Sequence, residues 1–157
     1  MAAWSFPVWA QIMCGIAGIA RSRFNPEQSV EVLGRMCRAL HHRGPDEEGL
    51  FFYPETASGI ACSRLSIVAL TTGSQPIACE DGSVLVVCNG EIYNHRQLRA
   101  RLENRGHSFR TTSDVEVIAH LYEEEGEECL DRLDGMFGLA VLDCDDADSC
   151  WRATAAA

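Results

Sequence analysis

Cys79-Glu80-Asp81-Gly82-Ser83-Val84-Leu85-Val86-Val87-Cys88-Asn89-Gly90-Glu91 is the stretch on which the fold turns. Asp81-Gly82 is a tight-turn pair set between Pro76–Cys79 and Val84–Cys88, and an Asp-Gly turn matches the natural twist of two antiparallel strands. Working outward, Leu50–Tyr53 and Gly59–Cys62 flank a turn at Pro54 and read as a second hairpin, and Leu65–Leu70 continues as an apolar run. Cys14–Ala20 reads as a short buried strand. Asn25-Pro26-Glu27-Gln28 then opens a helix, with Asn25 as cap and Pro26 at its first position. Val30, Leu33, Cys37 and Leu40 recur along it at helical spacing, and it should stop near Gly44 and Pro45. Downstream, Asn94 with Gln97 opens a helix closed by Gly106, and Ser113 with Glu116 reads as a capping box for one closed near Gly126. His107–Thr111 between them is strand-like. After an amphipathic piece with Leu130 and Leu133, Met136–Leu142 reads as a last buried strand, followed by an acidic turn and an Ala-rich end. Helices together with strands that come mostly as hairpins predict α+β with antiparallel sheets, not a doubly wound α/β fold.

At 157 residues the chain has the length of one domain. Its 46% hydrophobic and 23% charged residues are ordinary globular usage, with no repeat and no apolar run of membrane-spanning length. A formal charge of -10 argues against nucleic acid and anionic membrane surfaces as partners. The acidic runs Glu123–Glu128 and Asp143–Asp148 read as a solvated helix face and a loop. None of the eight cysteines stands at C-x-x-C spacing and no His pair completes a zinc pattern, so no metal site is expected. Most lie in apolar stretches, where a free cysteine acts as a small hydrophobe; that predicts a reducing compartment, the cytoplasm. Met1–Ile12 is apolar, with Trp4, Phe6 and Trp9, but lacks the basic start and long apolar centre of a signal peptide.

No Gly-rich phosphate loop, paired zinc histidines or G-x-S-x-G elbow is present. Three features remain: Cys14 heading the first strand, Arg64 within an apolar run, and Asn89-Gly90 at a strand end. Each alone reads equally as a core residue, a salt-bridged edge residue and a turn. Together with their surroundings they form an ordered set: Cys14-Gly15-Ile16-Ala17-Gly18, His42-Arg43-Gly44-Pro45-Asp46, Arg64-Leu65-Ser66-Ile67, Asn89-Gly90-Glu91-Ile92-Tyr93-Asn94 and Thr112-Ser113-Asp114-Val115-Glu116. In order and spacing this set resembles the class II glutamine amidotransferase domain, over roughly residues 14 to 143. Within that class it most resembles the N-terminal glutaminase half of glutamine-hydrolysing asparagine synthetase.

The resemblance implies an N-terminal nucleophile hydrolase fold, an αββα sandwich of two antiparallel sheets. It implies that Cys14 attacks the side-chain amide of L-glutamine to form a thioester, releasing ammonia and then glutamate. An ordinary thiol, with a pKa near about 8.5, is mostly protonated at neutral pH and needs a base; the α-amine of Cys14, at roughly 7.7 to 8.0, is implied to be that base. Only an unblocked amine can serve, so residues 1–13 are expected to be an extension, either untranslated because synthesis starts at Met13 or removed as a propeptide. Asn89 and Gly90 are implied to form the oxyanion hole. Arg64 is implied to read the substrate carboxylate, Asp114 its ammonium with help from Glu91, and the backbone of Leu65, Ile67 and Val68 to line the pocket. Arg43 is read as structural or a hinge. No cofactor is expected in this chain: ATP and magnesium would belong to an absent synthetase domain acting on aspartate. A homodimer or a separate synthetase subunit is the expected assembly. The alternatives are an inactive relic or glutamine-binding interaction module, and the glutaminase domain of another class II amidotransferase.

Two departures from the family pattern stand out. Cys62 occupies a position where relatives often carry His. At the other end, relatives continue after Met136–Asp143 into a further strand and a Leu-x-Arg-Asp-x-x-Gly-x-Lys-Pro-Leu-Tyr stretch, where this chain reads Cys150-Trp151-Arg152-Ala153-Thr154 and three alanines. Read from the third base of the Cys150 codon, the tail's codons permit Leu-Ala-Arg-Asp-x-x-Gly. The expectation is therefore a domain at residues 14–148 lacking its C-terminal part, with 149–157 an atypical frameshifted tail. The strand Met136–Leu142 would then lose its outer neighbour and expose an unpaired edge.

Overall fold

The computed structural model describes residues 14–65, 73–145 and 151–156. In chain order it contains β1 (Gly15–Ile19), α1 (Pro26–Ala39), β2 (Glu47–Tyr53), β3 (Ser58–Arg64), β4 (Ile77–Ala78) and β5 (Val84–Ile92). These are followed by α2 (His95–Arg105), α3 (Glu116–Glu125), a 3-10 segment (Gly126–Arg132), β6 (Gly135–Asp143) and β7 (Trp151–Ala156). Two antiparallel sheets result, with strand orders β1-β3-β2 and β4-β5-β6-β7.

Alternation of side chains along the central strands builds the layers. On β5, Val84, Val86 and Cys88 pack with α3 residues Val117, Ile118 and Leu121, while Leu85 and Val87 face the other sheet and pack with Ile60 and Cys62 of β3. On β6, Phe137, Leu139 and Val141 join the helical side, and Ala140 and Leu142 the inter-sheet side. Ala61 of β3 points outward, under Leu33 and Cys37 of α1. The order is thus helix, sheet, sheet, helix, the αββα sandwich that the family resemblance implies. Strands buried on both faces read in the sequence as unbroken apolar runs, which is why Val84–Cys88 shows no alternation.

α1 starts as the sequence predicts, with Asn25 Oδ1 accepting from the Gln28 N–H at 2.8 Å. It ends at Ala39 and not near Gly44. The reason is tertiary: Ser63 Oγ donates to the Gly44 carbonyl at 2.7 Å, and a Cβ on Gly44 would lie 2.3 Å from the Ser63 carbonyl oxygen, so the chain must leave the helix to lie against β3.

Four further expectations are corrected. His107–Thr111 forms no strand, because side-chain carboxylates take its backbone donors: Ser108 N–H donates to Glu80, and the N–H groups of Arg110 and Thr111 donate to Glu116. Glu116 so engaged completes no capping box, and α3 begins at that residue. Asn94 makes no side-chain cap for α2; its amide donates to the Arg132 carbonyl at 2.8 Å and accepts from the Asp134 N–H at 3.1 Å, tying α2 to the entrance of β6. Finally, β6 is not left without an outer neighbour. Trp151–Ala156 pairs with it in antiparallel register, Leu142 opposite Trp151 and Phe137 opposite Ala156. The expected extension 1–13 and most of the apolar run Leu65–Leu70 lie outside the described residues. Among the described residues, no helix is long and apolar enough to cross a membrane.

Leu142 is fully buried between the sheets. Leu142→Ala is expected to lower the unfolding free energy by about 2–5 kcal/mol in urea denaturation. Met136→Ala, at an exposed site on the same strand, should change it by less than about 0.5 kcal/mol.

Candidate active site

Gly15 pairs with Ser63 across β1 and β3, so Cys14 emerges from the ladder beside Arg64 and Leu65. Its half-buried side chain packs against the inter-sheet cluster containing Cys62 and Val87. The Leu65 N–H points at the sulfur, 3.4 Å from Sγ, and the Leu65 carbonyl oxygen is 3.9 Å away. The Cys62 thiol donates to the same sulfur, and this bond, followed by the Leu65 N–H and the Arg64 charge, outweighs burial and lowers the Cys14 pKa to about 6. Cys62 itself is pushed up, first because it keeps the proton it donates to Cys14 and then by burial. Of this pair Cys14 carries the negative charge, because it has the backbone donor and the neighbouring guanidinium. Burial pushes Cys37 and Cys79 up, and Cys88 and Cys129 up to about 12. Among these thiols Cys14 is the one shifted downward.

Asn89 and Gly90 lie near the end of β5, opposite Gly138 and Phe137 of β6. Gly90 has φ of 138°, and a Cβ there would lie 2.0 Å from the Met136 carbonyl oxygen, so only glycine fits. By strand alternation, Asn89 follows Leu85 and Val87 on the face directed toward the β1-β3-β2 sheet. The backbone just before it is fixed by Gln75: its side chain accepts from the Cys88 N–H at 2.6 Å and donates to the Cys88 carbonyl at 3.1 Å. Ile77 pairs with Val86, so Gln75 stands where the next β4 pair would fall and completes the ladder with a side chain.

Arg64, almost fully buried at the end of β3, donates to Glu47 Oε2 at 3.1 Å. A Cβ on Gly73 would lie 3.7 Å from Arg64 Nη2 and 3.2 Å from Ser113 Cβ, so the guanidinium is a near neighbour of Ser113-Asp114. Asp114 Oδ2 accepts from the Ile92 N–H at 2.9 Å, tying that carboxylate to the end of β5. After burial, the charges of Asp114 and Cys14 add to the upward shift of the Cys88 thiol. Leu65 is at the sulfur as expected. Glu91 is exposed on β5 opposite Met136, with no described link to the sulfur or to Arg64. Ile67 and Val68 lie outside the described residues. Sequence reasoning missed two residues, Cys62 and Gln75. Cys62 was visible only as a departure from the family pattern, and Gln75 carried no signal, since a side chain standing in for a strand is a tertiary event.

The fold and site together define a four-layer α+β domain, two antiparallel sheets between helices, with a candidate nucleophilic cysteine at the head of its first strand. Residues 13–151 match the family described as a glutamine amidotransferase domain, and the chain belongs to that family. It is 48% identical over 134 residues, 85% of this chain and 22% of the relative, to an Arabidopsis thaliana protein named asparagine synthetase [glutamine-hydrolyzing] 2. It is 46% identical over 133 residues, 83% of this chain and 17% of the relative, to a Bacillus subtilis (strain 168) protein of the same name. The chain therefore spans about a fifth of the length of these relatives. Among solved structures, a B. subtilis glutamine phosphoribosylpyrophosphate amidotransferase superposes with a TM-score of 0.46 at 27% identity, over 56% of this chain and 21% of that one.

Alkylation of Cys14 by iodoacetamide, followed by peptide mass spectrometry, is expected to rise with pH through a midpoint of about 6. In Cys62→Ala the midpoint should move upward, toward the ordinary thiol value of about 8.5. Gly90→Ala should cost at least about 2 kcal/mol of stability, from positive φ and the clash with Met136.

Proposed function

We propose that the domain hydrolyses the side-chain amide of L-glutamine through a thioester on Cys14. The observation that carries this reading is the placement of the Cys14 sulfur at the end of the β1–β3 ladder, 3.4 Å from the Leu65 N–H and beside Arg64, surroundings that favour the thiolate. With the thiol below the usual range and a free α-amine at roughly 7.7 to 8.0, the resting pair at neutral pH is thiolate and ammonium. The sulfur attacks the carboxamide carbon, and the oxygen charge that develops is received by the Asn89 side-chain amide and the Gly90 N–H. As the C–N bond breaks, the α-ammonium gives its proton to the departing nitrogen, which leaves as ammonia. The amine, now neutral, takes a proton from water as it attacks the thioester, and glutamate departs with the thiolate restored.

The Arg64 guanidinium holds the substrate α-carboxylate, while Asp114, assisted by Glu91, holds the α-ammonium. Backbone groups of Leu65, Ile67 and Val68 line the pocket. This chemistry requires Cys14 to be the first residue of the working protein, reached by initiation at Met13 or by removal of residues 1–13.

The step uses no cofactor. The relatives are named glutamine-hydrolysing asparagine synthetases, and our reading of the ammonia's fate is delivery to a synthetase part, which would use ATP and magnesium and act on aspartate. A homodimer and a cytoplasmic setting complete the reading, the latter supported by seven free cysteines among the described residues.

Glutamate release from glutamine by protein starting at Met13 is the test. Cys14→Ala should lose all thiol-dependent turnover, and Asn89→Ala about 10²–10³-fold in kcat. Equal rates from wild type and Cys14→Ala would overturn the reading.

A further inference from the structure

On the helical side of the β4-β5-β6-β7 sheet, three segments far apart in sequence converge. Glu80 comes from the β4–β5 turn, His107 from the α2–α3 connection, and His120 and Glu123 from α3. One ligand atom from each of the four lies within 4.8 Å of the other three. Glu80 Oε2 is 3.4 Å from His107 Nδ1 and 2.9 Å from His120 Nδ1, and Glu123 Oε2 is 3.8 Å from His107 Nδ1.

We propose that Glu80, His107, His120 and Glu123 form a binding site for one divalent transition-metal ion of the zinc type. Zinc bonds of about 2.0–2.2 Å to nitrogen and oxygen place tetrahedral ligand atoms roughly 3.3 Å apart, and the three distances above straddle that value. Two imidazoles with two carboxylates are a donor set for zinc and its first-row neighbours, not for calcium or magnesium, which take oxygen.

The outer surroundings fit as well. Metal-bound histidines direct their second nitrogen at a carboxylate or carbonyl. His107 does so, with Nε2 3.2 Å from Glu124 Oε1, whereas His120 Nε2 lies 3.7 Å from Glu116 Oε1 and makes no hydrogen bond. The Ser108 N–H donates to Glu80 Oε1 at 2.8 Å and orients that carboxylate. His120 is only 1% exposed, so this ligand is held in place by the packed core. A bound ion would take the place of the Nδ1–carboxylate contacts that now hold the two rings to Glu80. It would also pin the irregular 106–115 connection, and with it Asp114, against the sheet. Spacing in the sequence could not reveal this set, since 27 residues separate Glu80 from His107. The site is independent of the glutaminase reading.

The test strips the full chain with a chelator, then titrates zinc chloride. One zinc per chain should bind, and the melting temperature should rise by on the order of 5 °C or more at a hundredfold excess over Kd. Zinc K-edge absorption should show only nitrogen and oxygen neighbours at about 2.0–2.2 Å. His107→Gln and Glu123→Gln, both at partly exposed sites, should match the melting temperature of stripped wild type in chelator yet bind zinc at least about tenfold more weakly. If one variant fails to fold, the other decides. No stoichiometric binding, unchanged affinity in the folded variants, or a sulfur neighbour at about 2.3 Å, which would move the ion to Cys79 or another cysteine, would each overturn the proposal.

Discussion

The pairing of β1 with β3 is the constraint on which the site depends. It sets Gly15 opposite Ser63, and so delivers the Cys14 sulfur to the Leu65 N–H, the Cys62 thiol and the field of Arg64 at one strand end. None of these groups is unusual by itself. Their coincidence lowers the pKa of one thiol while the buried thiols among the described residues are shifted the other way, so the difference is set by register more than by residue type.

The second sheet contributes by being rigid where the first is reactive. β5 is buried on both faces up to Cys88, and Gln75 locks the backbone there, so Asn89 and Gly90 extend from a fixed platform. The positive φ of Gly90 and its close approach to Met136 leave little freedom at this point. Preorganisation of this kind is what an oxyanion site requires, since donors that must first reorient stabilise a developing charge poorly.

Much of the architecture was legible. The Asp81-Gly82 turn, the Asn25 cap and the unbroken run Val84–Cys88 are local signals, and the structure follows them. The failures are also physical. The capping box at Ser113–Glu116 and the strand at His107–Thr111 were undone together, because Glu116 spends its carboxylate on the backbone donors that a strand would have used. The α1 terminus moved because of a contact with β3, and the tail found a partner in β6 through backbone pairing that composition does not encode. At the site, Cys14, Arg64 and Asn89-Gly90 were singled out by position and by family resemblance, whereas Cys62 and Gln75, like the Glu80–His107–His120–Glu123 cluster, exist as functional groups only after the chain has folded.

The central claim is that one sulfur is chosen from eight and works beside its own free amine. Intact-mass and peptide analysis after reaction with a glutamine analogue bearing a diazoketone in place of the amide tests this most directly. The account predicts a single adduct, on Cys14, in molecules whose chain begins at that residue. An adduct on any other cysteine, or on Cys14 with residues 1–13 still attached, would contradict it.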